Sequence, residues 1–283
     1  MFAITGITGR VGGIVARTLL TAQEPVRAVV RDAGKGAPWL ERGCELALAE
    51  MNDAAALAAA FEGAEGVFVI PPPIFDPEPG FPEALATAKA VRSAFEATHP
   101  SKVVCISTIG AQATRLNLLT QLRLMEQAFG GLGIPITFLR PAWFMENAAW
   151  DVASARTGVI SSFLQPLDKL FPMVATADVG GTAAELLQET WTGRRIFELE
   201  GPHRVSPNDI AAAFSRILCR PVRIEAVLRE SWEDLFKSQG MKNPAPRVQM
   251  LDGFNEGWIA FEGDSVKGKV ELETVLKGIV EAA

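Results

Sequence analysis

Phe2-Ala3-Ile4-Thr5-Gly6-Ile7-Thr8-Gly9-Arg10-Val11-Gly12 opens the chain, and Val26-Arg27-Ala28-Val29-Val30-Arg31 follows after the length of one helix. The first run is short and apolar and stops at a glycine. Between the two runs, Val11, Ile14, Val15 and Leu19 recur at the spacing of one helical face. Strand, glycine turn, helix and second strand make a β-α-β unit, and a crossover of that length joins parallel neighbours. The same alternation continues outward. Cys44–Leu48 reads as a third strand, and Asp53 caps a helix carrying Leu57, Ala60 and Phe61 until Gly63 ends it. Gly66–Ile70 is a fourth strand, broken by Pro71-Pro72-Pro73, and Leu85, Ala88, Val91 and Phe95 mark the next helix. Lys102–Ser107 and Ile136–Arg140 are strands five and six, with a helix carrying Leu118, Leu122, Met125 and Phe129 between them.

Strands alternating with helices predict an α/β fold, a Rossmann-type doubly wound parallel sheet with helices on both faces. Beyond Trp143 the pattern loosens. Asp178 is expected to cap a helix with Val179, Ala183, Leu186 and Leu187, and Ile196–Leu199 reads as a late strand. Ser206-Pro207-Asn208-Asp209 carries the marks of a helix start, and further helices begin at Ser231 and run from Glu271 to Val280. The division expected is residues 1–147 as the Rossmann domain and 148–283 as a smaller α/β lobe packed on it, with 178–200 completing the sheet.

The chain has 283 residues, 48% hydrophobic and 21% charged, which suits a folded protein with a sizeable core. Its net charge of −6 gives no support for nucleic acid or an anionic membrane as partner. No apolar run approaches the roughly 18 residues of a membrane span, and the N-terminus reads as a strand rather than a leader. A cytoplasmic protein is expected, monomer or homodimer. Cys44, Cys105 and Cys219 lie far apart among apolar neighbours, as buried thiols of a reducing compartment would. His99 and His203 are the only histidines and neither has a ligand-type neighbour, so no metal site is expected. There is no Gly-x-Ser-x-Gly, and Gly263–Lys269 has the phosphate-loop spacing with Val270 where a magnesium-binding hydroxyl would stand. That stretch is read as loop.

Gly6, Gly9 and Gly12, directly after a strand and at the head of a helix, are spaced to let backbone amides approach a pyrophosphate. The end of strand two selects between dinucleotides. An acidic residue there binds a ribose hydroxyl, whereas arginine accepts the 2′-phosphate of NADP. Arg31 stands at that point with Lys35 behind it and Arg10 in the glycine turn; Asp32 is the competing signal. The expected cofactor is NADP(H) in preference to NAD(H), with no flavin.

Thr5–Gly12, Val26–Arg31, Ile106-Ser107-Thr108-Ile109-Gly110, Glu126 and Leu139-Arg140-Pro141-Ala142-Trp143-Phe144-Met145-Glu146-Asn147 resemble the NmrA-like family of atypical short-chain dehydrogenases. The Arg-Pro-x-x-Phe-x-Glu-Asn stretch is the more specific part. That resemblance implies NAD(P)H:quinone or dye reductases, or regulators that bind the cofactor without turnover. Ordinary short-chain dehydrogenases use a Tyr-x-x-x-Lys pair. This chain has no tyrosine, and Leu122 stands where many members of the family place a lysine. Reduction of a ketone by the tyrosine mechanism is therefore excluded.

Hydride transfer to a quinone or similar flat acceptor needs no strong enzyme acid, because water can protonate the product, and orientation supplies much of the rate. In parallel sheets the ligand lies beyond the carboxyl ends of the strands. The expected cofactor contacts are Gly6, Thr8, Gly9, Arg10, Val11, Gly12, Arg31, Lys35, Ile70, Pro71, Pro72, Ser107, Pro141, Ala142, Trp143 and Asn147. Trp143, Phe144, Trp150 and Phe163 are candidates to line the pocket of a small-molecule acceptor, although aromatics after a strand equally suit a core. Ser107, Asn147 and His203 are candidate catalytic groups, and Glu146 is a further source of a proton. The alternative function is a non-catalytic NAD(P) sensor that acts through a protein partner.

Overall fold

The computed structural model describes every residue from Met1 to Ala283. The first half contains β1 (Phe2–Thr5), α1 (Arg10–Thr21), β2 (Val26–Val30), α2 (Ala33–Leu40), β3 (Glu45–Leu48), α3 (Ala54–Phe61), β4 (Gly66–Val69), α4 (Pro82–Thr98), β5 (Lys102–Ile106), α5 (Thr120–Phe129) and β6 (Ile136–Pro141). The second half adds β7 (Trp143–Phe144), a 3-10 helix (Met145–Asp151), α6 (Val152–Thr157), β8 (Val159–Ser162), β9 (Met173–Val174), α7 (Thr176–Gln188) and β10 (Arg194–Glu200). After these come α8 (Pro207–Ile217), β11 (Arg223–Ala226), α9 (Trp232–Ser238), α10 (Ala245–Glu256), β12 (Val266–Lys267) and α11 (Leu272–Ala282).

Eight parallel strands form the central sheet in the order β12-β10-β6-β5-β4-β1-β2-β3. The chain runs outward from β1 to β3, then returns to the other side of β1 with β4, so the winding reverses between β1 and β4. Such a switch opens a crevice at the carboxyl ends of the strands. Alternate residues explain why the strands are apolar throughout: Phe2, Ile4, Ala28, Phe68 and Val104 pack under α1 and α7, while Ala3, Val29, Val67, Val103 and Phe138 pack under α3, α4 and α5. A third apolar cluster, with Val152, Ile160, Phe214, Trp232 and Phe254, belongs to the second half.

Three expectations for the second half are corrected. Asp178 does not cap its own helix. α7 starts two residues earlier, its first amide is capped from a distance by Glu146, and the Asp178 carboxylate instead accepts from the amides of Lys269 and Val270 at 3.0 Å each. Within Gly263–Lys269, Val266 and Lys267 pair with Leu199 and Glu200 as an edge strand rather than lying in a loop. Cys219 is exposed, whereas Cys44 and Cys105 are buried. The start of α8 is as read, with a reciprocal capping box in which Ser206 Oγ accepts from the Asp209 amide and the Asp209 carboxylate accepts from the Ser206 amide. Two small parallel pairs, β8 with β11 and β7 with β9, lie outside the main sheet.

Candidate cofactor and acceptor site

At Gly6 and Gly12 the turn between β1 and α1 has room for glycine alone. Gly6 adopts φ +60°, and a Cβ there would stand 2.4 Å from Ile70 Cγ2. A Cβ on Gly12 would stand 2.4 Å from the Gly6 carbonyl oxygen, so α1 can press onto the turn only without one. Gly9 occupies the N-cap position and has no side chain to offer, and the amides of Arg10, Val11 and Gly12 find no acceptor. The positive end of α1 is thus left open to an anion. Ile70, at the end of β4, is tied to the turn from the other side, its amide donating to Thr5 Oγ1 at 3.0 Å.

At the end of β2, Arg31 and Lys35 are exposed, as is Arg10 in the turn, and none of the three is in an ion pair. Asp32 is committed elsewhere: it is the N-cap of α2, and its Oδ1 accepts from the Lys35 amide at 3.1 Å. Beside this edge lies a cleft of about 430 Å³, bounded by Glu50–Asn52 after β3, Pro72 and Ile74 after β4, and Pro82, Glu83 and Thr87 of α4. Sequence reading found Pro72 and missed the rest, because the cleft joins three segments distant in the chain.

The ends of β5 and β6 are built differently. Buried Ser107 donates from Oγ to Glu126 Oε1 at 2.5 Å. Arg140, also buried, holds both oxygens of Glu126, through Nε and Nη2 at 2.8 Å each, and reaches Glu262 at 2.8 Å and Glu198 at 3.5 Å through Nη1. The Glu198 carboxylate accepts from the amides of Glu262 at 3.0 Å and Gly263 at 2.9 Å. Burial opposes the Arg140 charge, but hydrogen bonds and the charges of Glu126 and Glu262 outweigh it and raise its pKa. The Cys105 thiol is pushed far up by burial and by the charge of Glu126. Glu198 and Glu262 were not singled out from sequence. The usable signal was an arginine and a glutamate inside otherwise apolar strands, Phe138-Leu139-Arg140 and Phe197-Glu198-Leu199.

The remaining candidates are distributed around this frame. Pro141 and Ala142 are buried, and the Ala142 amide donates to the Leu199 carbonyl at 2.9 Å. Trp143 is half-buried edge-on to Phe254 of α10, 5.2 Å between centroids, and Phe144 packs against the α1/α7 side of the core. Glu146 accepts from the Thr176 amide at 2.9 and 3.0 Å with its two oxygens, and Asn147 beside it is half-buried without a hydrogen bond. Trp150 is exposed and touches Phe75. Phe163 stands between Trp232 and Phe236 in the cluster of the second half. His203 is an exposed residue after β10, 3.8 Å from Glu271. Asp151 is half-buried without a hydrogen-bonding partner, and burial pushes its carboxyl up to about 6. Thr8 is exposed in the glycine turn. No three His, Cys, Asp or Glu side chains gather as a metal set, and no helix is long and apolar enough to cross a membrane.

The NAD(P)H azoreductase of Xenophilus azovorans is 26% identical to the chain over 279 residues, covering 98% of this chain and 92% of the relative. The (4-alkanoyl-5-oxo-2,5-dihydrofuran-3-yl)methyl phosphate reductase of Streptomyces griseus subsp. griseus is 30% identical over 233 residues, covering 80% and 76%. Among solved structures, the NADPH-dependent quinone oxidoreductase of Escherichia coli complexed with NADPH superposes with a TM-score of 0.78 at 22% identity, over 100% of this chain and 98% of that one. At that identity the likeness speaks for the fold. The NmrA-like family model matches residues 1–257, which carry the glycine turn, the cleft and the buried Ser107–Glu126–Arg140 network, and the chain belongs to the NmrA-like family.

Proposed function

We propose that the protein is an NADPH-dependent oxidoreductase that delivers a hydride to a quinone or a similar flat, electron-poor acceptor. The observation that carries this reading is the glycine turn: three unpaired amides at the head of α1, with the unpaired cations Arg10 in the turn and Arg31 and Lys35 at the end of β2, and a cleft at the ends of β3 and β4. That set matches a dinucleotide in shape and charge. The amides suit a pyrophosphate, the cleft an adenine, and Arg31 with Arg10 or Lys35 a 2′-phosphate. Because the Asp32 carboxylate is engaged in capping α2, it competes poorly for the ribose hydroxyl.

When bound, the nicotinamide supplies a hydride. In that reaction the acceptor gains two electrons and one proton's worth of hydrogen, a quinone becomes a hydroquinone monoanion, and a second proton comes from water. Ser107 takes no part as an acid. Its hydroxyl donates to Glu126, whose two oxygens Arg140 holds. Toward the crevice Ser107 offers lone pairs only, and it suits an N–H donor such as a carboxamide. The reductase names of the two relatives support the redox reading. Oxidation of NADPH followed at 340 nm against quinones and azo dyes tests it. Turnover above the rate without protein is expected; calorimetric binding of NADPH with no turnover on any acceptor would refute the enzymatic reading.

A further inference from the structure

Of 16 phenylalanines and 6 tryptophans, only Phe75 and Trp150 are exposed, and they are in contact with each other, edge to face, with centroids 6.4 Å apart. The other exposed large apolar side chains are aliphatic. Phe75 stands on the loop that leaves β4, and Trp150 on the 3-10 helix that follows β6 and β7. In the sheet β5 lies between β4 and β6, so the contact joins the segments that follow the two strands flanking β5, the strand that leads into Ser107.

The backbone beneath the pair is held in place. Gln121 of α5 donates to the Ile74 carbonyl at 2.9 Å, and the Asp76 carboxylate accepts from the amides of Lys242 at 2.8 Å and Asn243 at 2.7 Å. On the other side, Glu146 anchors the 3-10 helix to the head of α7. Two aromatic rings left in water on fixed backbone make a ready surface for another aromatic ring, since their apolar area is unburied and their orientation is already set. Trp143 and Phe254 form a separate, inner aromatic pair.

We propose that Phe75 and Trp150 are the outer wall of the acceptor site and make the protein select acceptors of two or more aromatic rings over single-ring ones. The inference rests on the reading that the hydride is delivered at the end of β5. A single-ring acceptor placed there occupies the inner wall alone, whereas a second ring extends onto the outer pair. Phe75 and Trp150 are thus specificity-determining residues, with no part in the hydride step itself.

The test compares 2,3-dimethyl-1,4-naphthoquinone with duroquinone, which differ by a fused ring and lack a free position for thiol addition. Their Kd values are measured by calorimetry on the protein with and without NADP+, where no hydride can be transferred, and their KM and kcat with NADPH. Phe75→Ala and Trp150→Ala are expected to weaken the naphthoquinone about tenfold in Kd and KM, with duroquinone and kcat changed less than about twofold. Trp150→Phe should restore most of the loss. Both side chains are exposed, so the variants should melt with the unmodified protein. Equal losses for the two quinones, no loss for either, or no binding of the naphthoquinone to the unmodified protein would overturn the proposal. Failure to bind NADPH would instead refute the function proposed above, and the titration without cofactor would still decide the outer wall.

Discussion

Along one edge of the sheet, the turn after β1 leaves its polar groups open, while the ends of β5 and β6 satisfy theirs among themselves. Around Gly6, Gly9 and Gly12 the amides of α1 and the cations Arg10, Arg31 and Lys35 have no partners within the chain. Around Ser107, by contrast, one guanidinium is shared among three carboxylates from α5, β10 and the segment after Ile259. The first region is built to receive charge from outside. The second is built so that the protein completes itself, and it shows a ligand little beyond the lone pairs of Ser107. The two should therefore fail differently when mutated: the open region in binding, the closed one in folding.

The largest effect is expected from Arg140→Leu. It would leave Glu198 buried with no cation and Glu126 buried with only the half-exposed Arg194, at 3.7 Å, and breaking a buried pair by removing one partner costs about 3–5 kcal/mol. Urea unfolding should show that loss, and the double variant Arg140→Leu/Glu126→Leu should recover part of it. A change below about 1 kcal/mol would mean that the knot adds nothing to stability.

Gly9→Val tests the open region. A Cβ on Gly9, whose φ of −89° suits any residue, would meet only the Gly6 carbonyl oxygen, at 3.2 Å, so the turn must give by a few tenths of an ångström and the fold is expected to survive with a modest loss in Tm. The branched side chain would, however, stand where an anion meets the amides. Losing even one or two charge-assisted hydrogen bonds weakens NADPH by about a hundredfold. Calorimetry on the folded variant decides, and retained affinity would show the turn to be structural.

The contrast between the regions also explains what the sequence reveals. The glycine turn, Arg31 and the order of strands are legible because they rest on local spacing: three glycines within seven residues, a helical face between two apolar runs. Glu126 and Arg140 are visible as individual residues, but their partnership with Glu198 and Glu262 joins positions up to 122 apart, which no periodicity records. Glu146 shows the same limit. It looked like a spare proton source, and it serves α7, thirty residues on, as the cap that Asp178 was expected to supply. Of Leu85, Ala88, Val91 and Phe95, which mark α4 by their spacing, the last three are buried and Leu85 is 47% exposed. Phe75 gave no signal at all, because a lone phenylalanine among prolines carries none.

Asp151 sharpens the comparison as a half-buried carboxyl with no hydrogen-bonding partner. Its carboxyl is raised by burial from 3.8 to about 6, so between those values the folded state holds a proton that the unfolded state has released. Stability contributed by this group therefore falls as pH rises through that window, and the penalty is complete above pH 6. Asp151→Asn removes the ionisation. Relative to the unmodified protein the variant should gain about 2 kcal/mol between pH 3.5 and pH 7, somewhat less than two pKa units would give because the group is only half-buried. Parallel stability curves for the two proteins would contradict the shift.

Arg31→Ala carries the smallest expected effect and bears most directly on the open region. The side chain is exposed, makes no ion pair, and stands at the end of β2 where a 2′-phosphate would lie, so its removal should leave Tm unaltered. A charge-assisted contact at an exposed site is worth the lower end of its range, about 1.5 kcal/mol, or roughly tenfold in affinity. The variant should bind NADPH about tenfold more weakly and NADH unchanged, and the difference should shrink with added salt, because screening weakens the Arg31–phosphate attraction in the unmodified protein. If NADPH and NADH bind the unmodified protein equally, Arg31 does not read the phosphate. If the preference exists and survives Arg31→Ala, it resides in Arg10 or Lys35, and Lys35→Ala would then show the tenfold loss in its place.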